Sequence, residues 1–141
     1  MARPAEIAPR LIAALVRPGQ RPVGLQGPSG RYKTTLLRRL LSRETAGASW
    51  SSASDLTHEM TAAMREERYS AWRDALCADD RPLCVEHVED LRGLPRTREE
   101  VKHLLTAAAA RRRVVVTLTR SRSDGAVVRW LRSWADVYSL D

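Results

Sequence analysis

Five short stretches along the chain are predicted to form β-strands, although residues 46–51 have a weak preference for strand structure, with Trp50 their only strong residue. The strongest is Val114–Thr119, which is rich in β-branched residues, and Leu83–Val85 is a continuous apolar run. Runs of this kind are typical of parallel strands that are buried on both faces. The predicted strands cover residues 21–26, 46–51, 83–85, 114–119 and 136–140.

Between these stretches, apolar residues recur every three or four positions, as they do on one face of a helix. The clearest pattern begins at Thr97, for which we predict a capping box with Glu100. A last, short helix carries Trp130 and Trp134 four residues apart, a spacing typical of core residues or, if they are exposed, of a docking surface. The predicted helices cover residues 5–17, 33–42, 52–68, 69–77, 97–111 and 123–134.

Strands and helices alternate through the whole sequence, and this alternation predicts the fold class. We expect an α/β protein with three layers, in which helices cover both faces of a five-stranded, mainly parallel sheet through right-handed crossovers. Ligands of such sheets bind where the strands end. Glu86 follows the predicted strand 83–85 and Thr119 ends the predicted strand 114–119, so both are expected at the binding edge.

The segment between the first strand and its helix has the layout of a phosphate-binding loop, G-x-x-x-x-G-K-S/T, with one departure. Gly27 opens the loop and Lys33-Thr34 closes it, whereas Tyr32 stands where a glycine is expected. Glycines let backbone N–H groups converge on phosphate oxygens, and the next helix adds its positive dipole end. The predicted nucleotide-binding residues are Gly27, Pro28, Ser29, Gly30, Arg31, Tyr32, Lys33, Thr34 and Thr35.

Two side chains of this loop carry the expected chemistry. Lys33 would reach the terminal phosphates, and the Thr34 hydroxyl would hold Mg²⁺. The loop therefore predicts a phosphate-bearing nucleotide and Mg²⁺ as cofactors. An ordinary turn between a strand and a helix is the alternative interpretation, because a side chain at Tyr32 would crowd the phosphate or require a strained backbone.

Composition restricts the class of protein more than it identifies a ligand. The chain has 141 residues, of which 43% are hydrophobic and 29% charged, as expected for one globular domain. It has no apolar run that could span a bilayer and no signal-peptide pattern, so we expect a cytoplasmic protein without a membrane contact. The net charge of +7 permits a nucleotide or DNA partner. Cys77 and Cys84 are too few and wrongly spaced for a zinc site.

The order and spacing of these segments resemble the nucleotide-binding core of the bacterial replication initiator DnaA, an AAA+ ATPase. Pro22–Leu37 is similar to the family's first strand and Walker A loop, and Leu83–Leu91 to its Walker B segment. Val114–Arg120 resembles the strand that ends in sensor 1, and Leu131–Trp134 the segment that carries the arginine finger. The resemblance implies a P-loop NTPase fold, ATP binding, a role in chromosomal replication initiation or its regulation, and an initiator or other replication protein as partner.

The resemblance also implies roles for single residues. Glu86 stands at the first Walker B acid, so the predicted metal site consists of Thr34 and Glu86. His87 stands at the second acid, which helps to activate water, and Thr119 is the sensor candidate. Trp134 matches the finger arginine. These departures predict nucleotide binding with weak or absent hydrolysis, and no residue is assigned a catalytic role.

The resemblance covers residues 1–141 as a single DnaA-like core, and we expect no helical lid and no helix-turn-helix domain. A contact with DNA is therefore possible, but no DNA-binding domain is expected to support it. A nucleotide-independent interaction module derived from this fold is the alternative function. Tyr32, His87 and Trp134 favour it, and the retained Lys33-Thr34 pair opposes it. A small P-loop kinase is a third interpretation, but it would need an acceptor site and an arginine-rich lid.

Overall fold

The computed structural model describes residues 21–27, 32–44, 47–119 and 125–139, without the side chains at positions 32, 40 and 42–44. The helix predicted over residues 5–17 lies outside the described residues. So do residues 28–31 of the predicted phosphate loop.

Five parallel strands form one sheet in the order β2-β3-β4-β1-β5. β1 lies between β4 and the edge strand β5, so the end of the first strand has a neighbouring strand on each side. This topology confirms the predicted parallel α/β sheet. The strands are β1 (Val23–Gly27), β2 (Ser49–Ser52), β3 (Leu83–Glu86), β4 (Val114–Thr119) and β5 (Asp136–Ser139).

Helices connect the strands, and a short 3₁₀ helix (Val88–Leu91) that the sequence analysis did not predict follows β3 directly. None of the helices in the described ranges is long and apolar enough to cross a bilayer. The α-helices are α1 (Tyr32–Glu44), α2 (Ala53–Arg65), α3 (Tyr69–Ala78), α4 (Pro95–Ala109) and α5 (Gly125–Arg132).

Apolar side chains bury the sheet on both faces. On one face, Leu37 and Leu41 of α1 pack with residues of β1, β3 and β4. The larger cluster on the other face includes side chains from α2 to α5. Trp130 and Trp134 belong to this cluster, with ring centroids 5.1 Å apart in an edge-to-face arrangement. Both tryptophans are buried, so the core interpretation is confirmed and the docking-surface alternative is wrong.

The predicted start of α4 is wrong by two residues. Leu94 is the N-cap residue, Pro95 is the first helical residue, and no side chain caps this end. Proline suits the first position because its φ is already helical and its missing N–H would have no partner there. Thr97 therefore lies inside the first turn and does not form the predicted capping box with Glu100.

A pair of substitutions tests this difference between two helix starts. The Ser52 hydroxyl caps α2 by accepting the Asp55 N–H at 3.0 Å, so Ser52→Ala should lower the free energy of unfolding by about 1 kcal/mol. Thr97→Ala should change it by less than about 0.5 kcal/mol. Urea denaturation of both variants measures the two values, and a loss in Thr97→Ala as large as that in Ser52→Ala would contradict the assignment.

Candidate nucleotide-binding site

Three neighbouring strands end where the predicted site residues lie. Gly27, at the end of β1, is in register with Thr119, the last residue of β4. Glu86 ends β3, which pairs with the other side of β4. Lys33 and Thr34 belong to the first turn of α1, the helix that follows β1. The fold therefore brings Gly27, Lys33, Thr34, Glu86 and Thr119 to one edge of the sheet.

The two predicted metal-site residues contact each other. The Thr34 hydroxyl donates a hydrogen bond of 3.2 Å to Oε2 of Glu86. Hydroxyl and carboxylate oxygens are ligands that Mg²⁺ accepts, and Mg²⁺ in phosphate-loop sites takes its remaining ligands from phosphates and water. Among the described residues, no three His, Cys, Asp or Glu side chains are grouped as a complete metal site. The pair fits an ion that shares its ligands with a nucleotide.

Lys33 is a buried cation at this edge. The residue is only 4% exposed, and its Nζ donates a long hydrogen bond of 3.5 Å to the Gly27 carbonyl. Burial lowers the pKa of Lys33 from its ordinary value of 10.5, and the carboxylates of Glu89 and Glu86 oppose that shift. The ammonium thus lies in the field of two carboxylates, close to the end of β1.

Glu89 belongs to the site, although the sequence analysis missed it. The residue is 1% exposed, and its Oε1 accepts the Thr119 N–H at 3.2 Å. The 3₁₀ helix after β3 turns Glu89 back toward the strand ends, and that helix was not predicted. A local pattern gives no signal for this placement, because Glu86 ends a strand and the helix that carries Glu89 begins only at Val88.

The His87 ring lies between the carboxylates of Glu86 and Glu89. The backbone of His87 has a left-handed conformation, with φ 62° and ψ 50°. The backbone N–H of His87 donates a hydrogen bond of 3.2 Å to the Thr117 hydroxyl. The ring Nδ1 lies 3.4 Å from Glu89 Oε2, and Nε2 lies 3.7 Å from Glu86 Oε2. A residue other than glycine costs about 1–3 kcal/mol in such a conformation, and surrounding contacts must offset that cost. These contacts fix the imidazole at the strand edge.

The other predicted residues differ in their placement. Thr35 is exposed on α1, and the Thr119 side chain is buried. Tyr32 is the first residue of α1, but its side chain lies outside the description, as do Pro28, Ser29, Gly30 and Arg31.

The cysteines do not contribute a reactive group to this edge. Cys77 and Cys84 are both buried free thiols. Burial raises the pKa of Cys84 to about 12, so the thiol stays protonated at neutral pH.

Neither a protein-family model nor a curated protein sequence matches this chain. Solved structures do match it. AMPPCP-bound DnaA from Aquifex aeolicus is 20% identical with a TM-score of 0.73, and the match covers 100% of this chain and 48% of that one. Domain III of DnaA from Thermotoga maritima is 15% identical with a TM-score of 0.72, covering 97% and 62%. The DnaC helicase loader is 13% identical with a TM-score of 0.68, covering 97% and 88%.

These similarities establish the fold. The five-stranded parallel sheet and its helices form the αβα P-loop NTPase core that DnaA and the DnaC helicase loader share. The chain spans about half the length of the Aquifex DnaA structure, with 48% of it covered.

Proposed function

We propose that this chain binds ATP or ADP together with Mg²⁺ at the carboxyl edge of its sheet, and that it hydrolyses ATP slowly or not at all. The observation that carries the proposal is the buried Lys33 ammonium in the same helical turn as the Thr34 hydroxyl, which donates to Glu86. Residues Gly27 to Thr35 would surround the phosphates, and Thr34 with Glu86 would hold the ion.

The charges of the described residues make the metal ion necessary for tight binding. Lys33 contributes one positive charge to the edge, and Glu86 and Glu89 contribute two negative charges. Thr34 and Glu86 would hold Mg²⁺, whose charge would offset that of the phosphates. A nucleotide without Mg²⁺ would bring its anionic phosphates directly against Glu86 and Glu89, which costs free energy in a partly buried site.

Titration of a fluorescent ATP analogue tests the proposal directly. We expect saturable binding in the presence of Mg²⁺ and at least tenfold weaker binding, about 1.4 kcal/mol, in excess chelator. ADP should compete for the same site. Absence of saturable binding under both conditions would contradict the proposal.

The proposed biological setting is chromosomal replication initiation or its regulation, in the cytoplasm. The support is the fold shared with AMPPCP-bound DnaA, with DnaA bound to AMPPCP and single-stranded DNA, and with the DnaC helicase loader. An initiator or another replication protein is the proposed partner. Co-purification of the tagged chain with replication proteins, in ATP and without nucleotide, tests this setting, and recovery of none of them would argue against it.

A nucleotide-independent interaction module is the second candidate function. The observation that favours it is the Lys33 ammonium itself, which already donates to the Gly27 carbonyl and lies in the field of Glu89 and Glu86. A lysine whose hydrogen bond and charge contacts all lie within the protein can stabilise the fold without taking part in nucleotide binding. The same titration separates the candidates, because the module would fold and bind its partner while showing no affinity for nucleotide.

Tyr32 provides a further test of nucleotide binding. Tyr32→Gly should tighten binding of the ATP analogue about threefold to tenfold, because a bare backbone lets phosphate approach the start of α1. Tyr32→Ala removes the ring while retaining a Cβ, so it separates crowding by the ring from restriction of the backbone. Unchanged or weaker affinity in both variants would contradict this interpretation of the tyrosine.

A further inference from the structure

We infer that His87 is a ligand of the metal ion at this site, and that the site therefore prefers nitrogen-accepting divalent ions such as Co²⁺ over Mg²⁺ in its nucleotide complex. The inference rests on the proposed function, since the ion is expected to arrive with a nucleotide. It concerns a histidine that lies beside Glu86 in the sequence and next to it in space.

The first support is the short distance between two donor atoms. Glu86 Oε2 lies 3.7 Å from His87 Nε2. Two donors that each bind an ion at about 2.1 Å can be at most about 4.2 Å apart. The carboxylate oxygen and the imidazole nitrogen therefore lie within the span that a single ion can bridge, and the same carboxylate oxygen accepts the Thr34 hydroxyl at 3.2 Å.

The second support is the carboxylate behind the ring. A metal-binding histidine almost always donates its other ring N–H to a carboxylate or carbonyl, which fixes the tautomer and orients the ring. Glu89 Oε2 lies 3.4 Å from Nδ1 of His87. The other oxygen of Glu89 accepts the Thr119 N–H at 3.2 Å, so the carboxylate is itself held in place. With the proton on Nδ1, Nε2 carries the lone pair that an ion needs, and it lies 3.7 Å from Glu86 Oε2.

The third support is the combination of a fixed backbone and an accessible ring. The left-handed conformation of His87 is held in part by the hydrogen bond from its N–H to Thr117. Its side chain is nevertheless 47% exposed, so an ion can reach it from solvent. Strained backbone of this kind occurs preferentially at functional sites.

The expected selectivity follows from the chemistry of the donors. Oxygen ligands suit Mg²⁺, whereas an imidazole nitrogen favours later divalent ions in the order Mn²⁺, Fe²⁺, Co²⁺, Ni²⁺. Replacing one oxygen ligand by His87 Nε2 should therefore shift the preference of the nucleotide complex away from Mg²⁺.

The experiment compares ion preference in the wild-type protein and in His87→Asn. Asparagine tolerates the left-handed conformation but lacks the imidazole, so it is a matched control for the backbone. We expect the wild-type protein to bind the ATP analogue at least tenfold more tightly with Co²⁺ than with Mg²⁺. In His87→Asn this ratio should fall below about threefold, because the variant retains only the preference of the nucleotide and the oxygen donors.

A spectroscopic measurement tests the bond itself. In the complex with Mn²⁺ and ATP, electron spin-echo modulation should show a coupled ¹⁴N nucleus that disappears in His87→Asn. Glu89→Gln should weaken the binding of Co²⁺ with nucleotide about tenfold or more, because it removes the charge behind the ring. The inference would be overturned, with the proposed function intact, if nucleotide binds without ¹⁴N coupling and if the ratio of Co²⁺ to Mg²⁺ affinities is the same in wild-type protein and in His87→Asn. No nucleotide binding with any ion would overturn both.

Discussion

Replacing Lys33 by alanine is expected to weaken the binding of the ATP analogue by about 100-fold or more, or about 2.7 kcal/mol. The Lys33 residue is 4% exposed in the wild-type protein, so water would screen its interaction with phosphate less than that of a surface lysine. Hydrogen bonds that involve a charged group contribute about 1.5–3 kcal/mol each. Removal of the cation also takes away one of the positive charges that offset the repulsion between the phosphates and the carboxylates of Glu86 and Glu89.

The matched control for Lys33→Ala is Arg39→Ala, which removes one positive charge from the exposed surface of the same helix. It should change affinity by less than about threefold, because exposed charges are screened by solvent and salt. Thermal denaturation of both variants shows whether the fold is retained. Affinities of Lys33→Ala and wild-type protein that agree within the error of the titration would eliminate Lys33 as a phosphate contact.

The sheet was predictable because two of its inner strands, β3 and β4, are short apolar runs and because helices of regular spacing separate the strands. Val114–Thr119 was predicted with the bounds that the structure shows, since it is a β-branched run buried on both faces. The strand near Trp50 was predicted three residues too early, because alanine, glycine and serine carry little preference for strand structure. The start of α4 was misplaced because a proline at the first helical position outweighed a plausible capping pattern.

The site was less predictable than the sheet because part of it depends on contacts distant in sequence. The approach of Thr34 to Glu86 follows from strand order and could be anticipated. The role of Glu89 depends on a single 3₁₀ turn and on a bond to the Thr119 N–H on another strand, for which a local pattern gives no signal. The left-handed conformation of His87 is likewise held by Thr117, 30 residues further along the chain.

Steady-state hydrolysis of ATP by the purified chain is expected to be on the order of 10⁻³ per second or slower. An arginine finger accelerates phosphoryl transfer by roughly 10³ to 10⁵ because it neutralises charge that develops on the transferred group. Trp134 stands at the position that resembles the finger. Its indole is uncharged and is buried in the core with 6% exposure, so it supplies no charge to a nucleotide. His87 is placed between Glu86 and Glu89, where a second carboxylate of the Walker B segment would otherwise activate water.

Binding can persist without turnover because different groups support the two processes. In the proposed complex the start of α1, with Lys33, would hold phosphate in the ground state, whereas hydrolysis needs charge placed where the transition state develops. A single His87→Asp substitution should therefore leave turnover within about tenfold of the wild-type value, since it supplies a carboxylate but no finger charge. The assay uses a concentration series of the chain with Lys33→Ala as the control for contaminating ATPases. Turnover near one per second that disappears in Lys33→Ala would make the chain a working ATPase and would refute the slow-hydrolysis proposal.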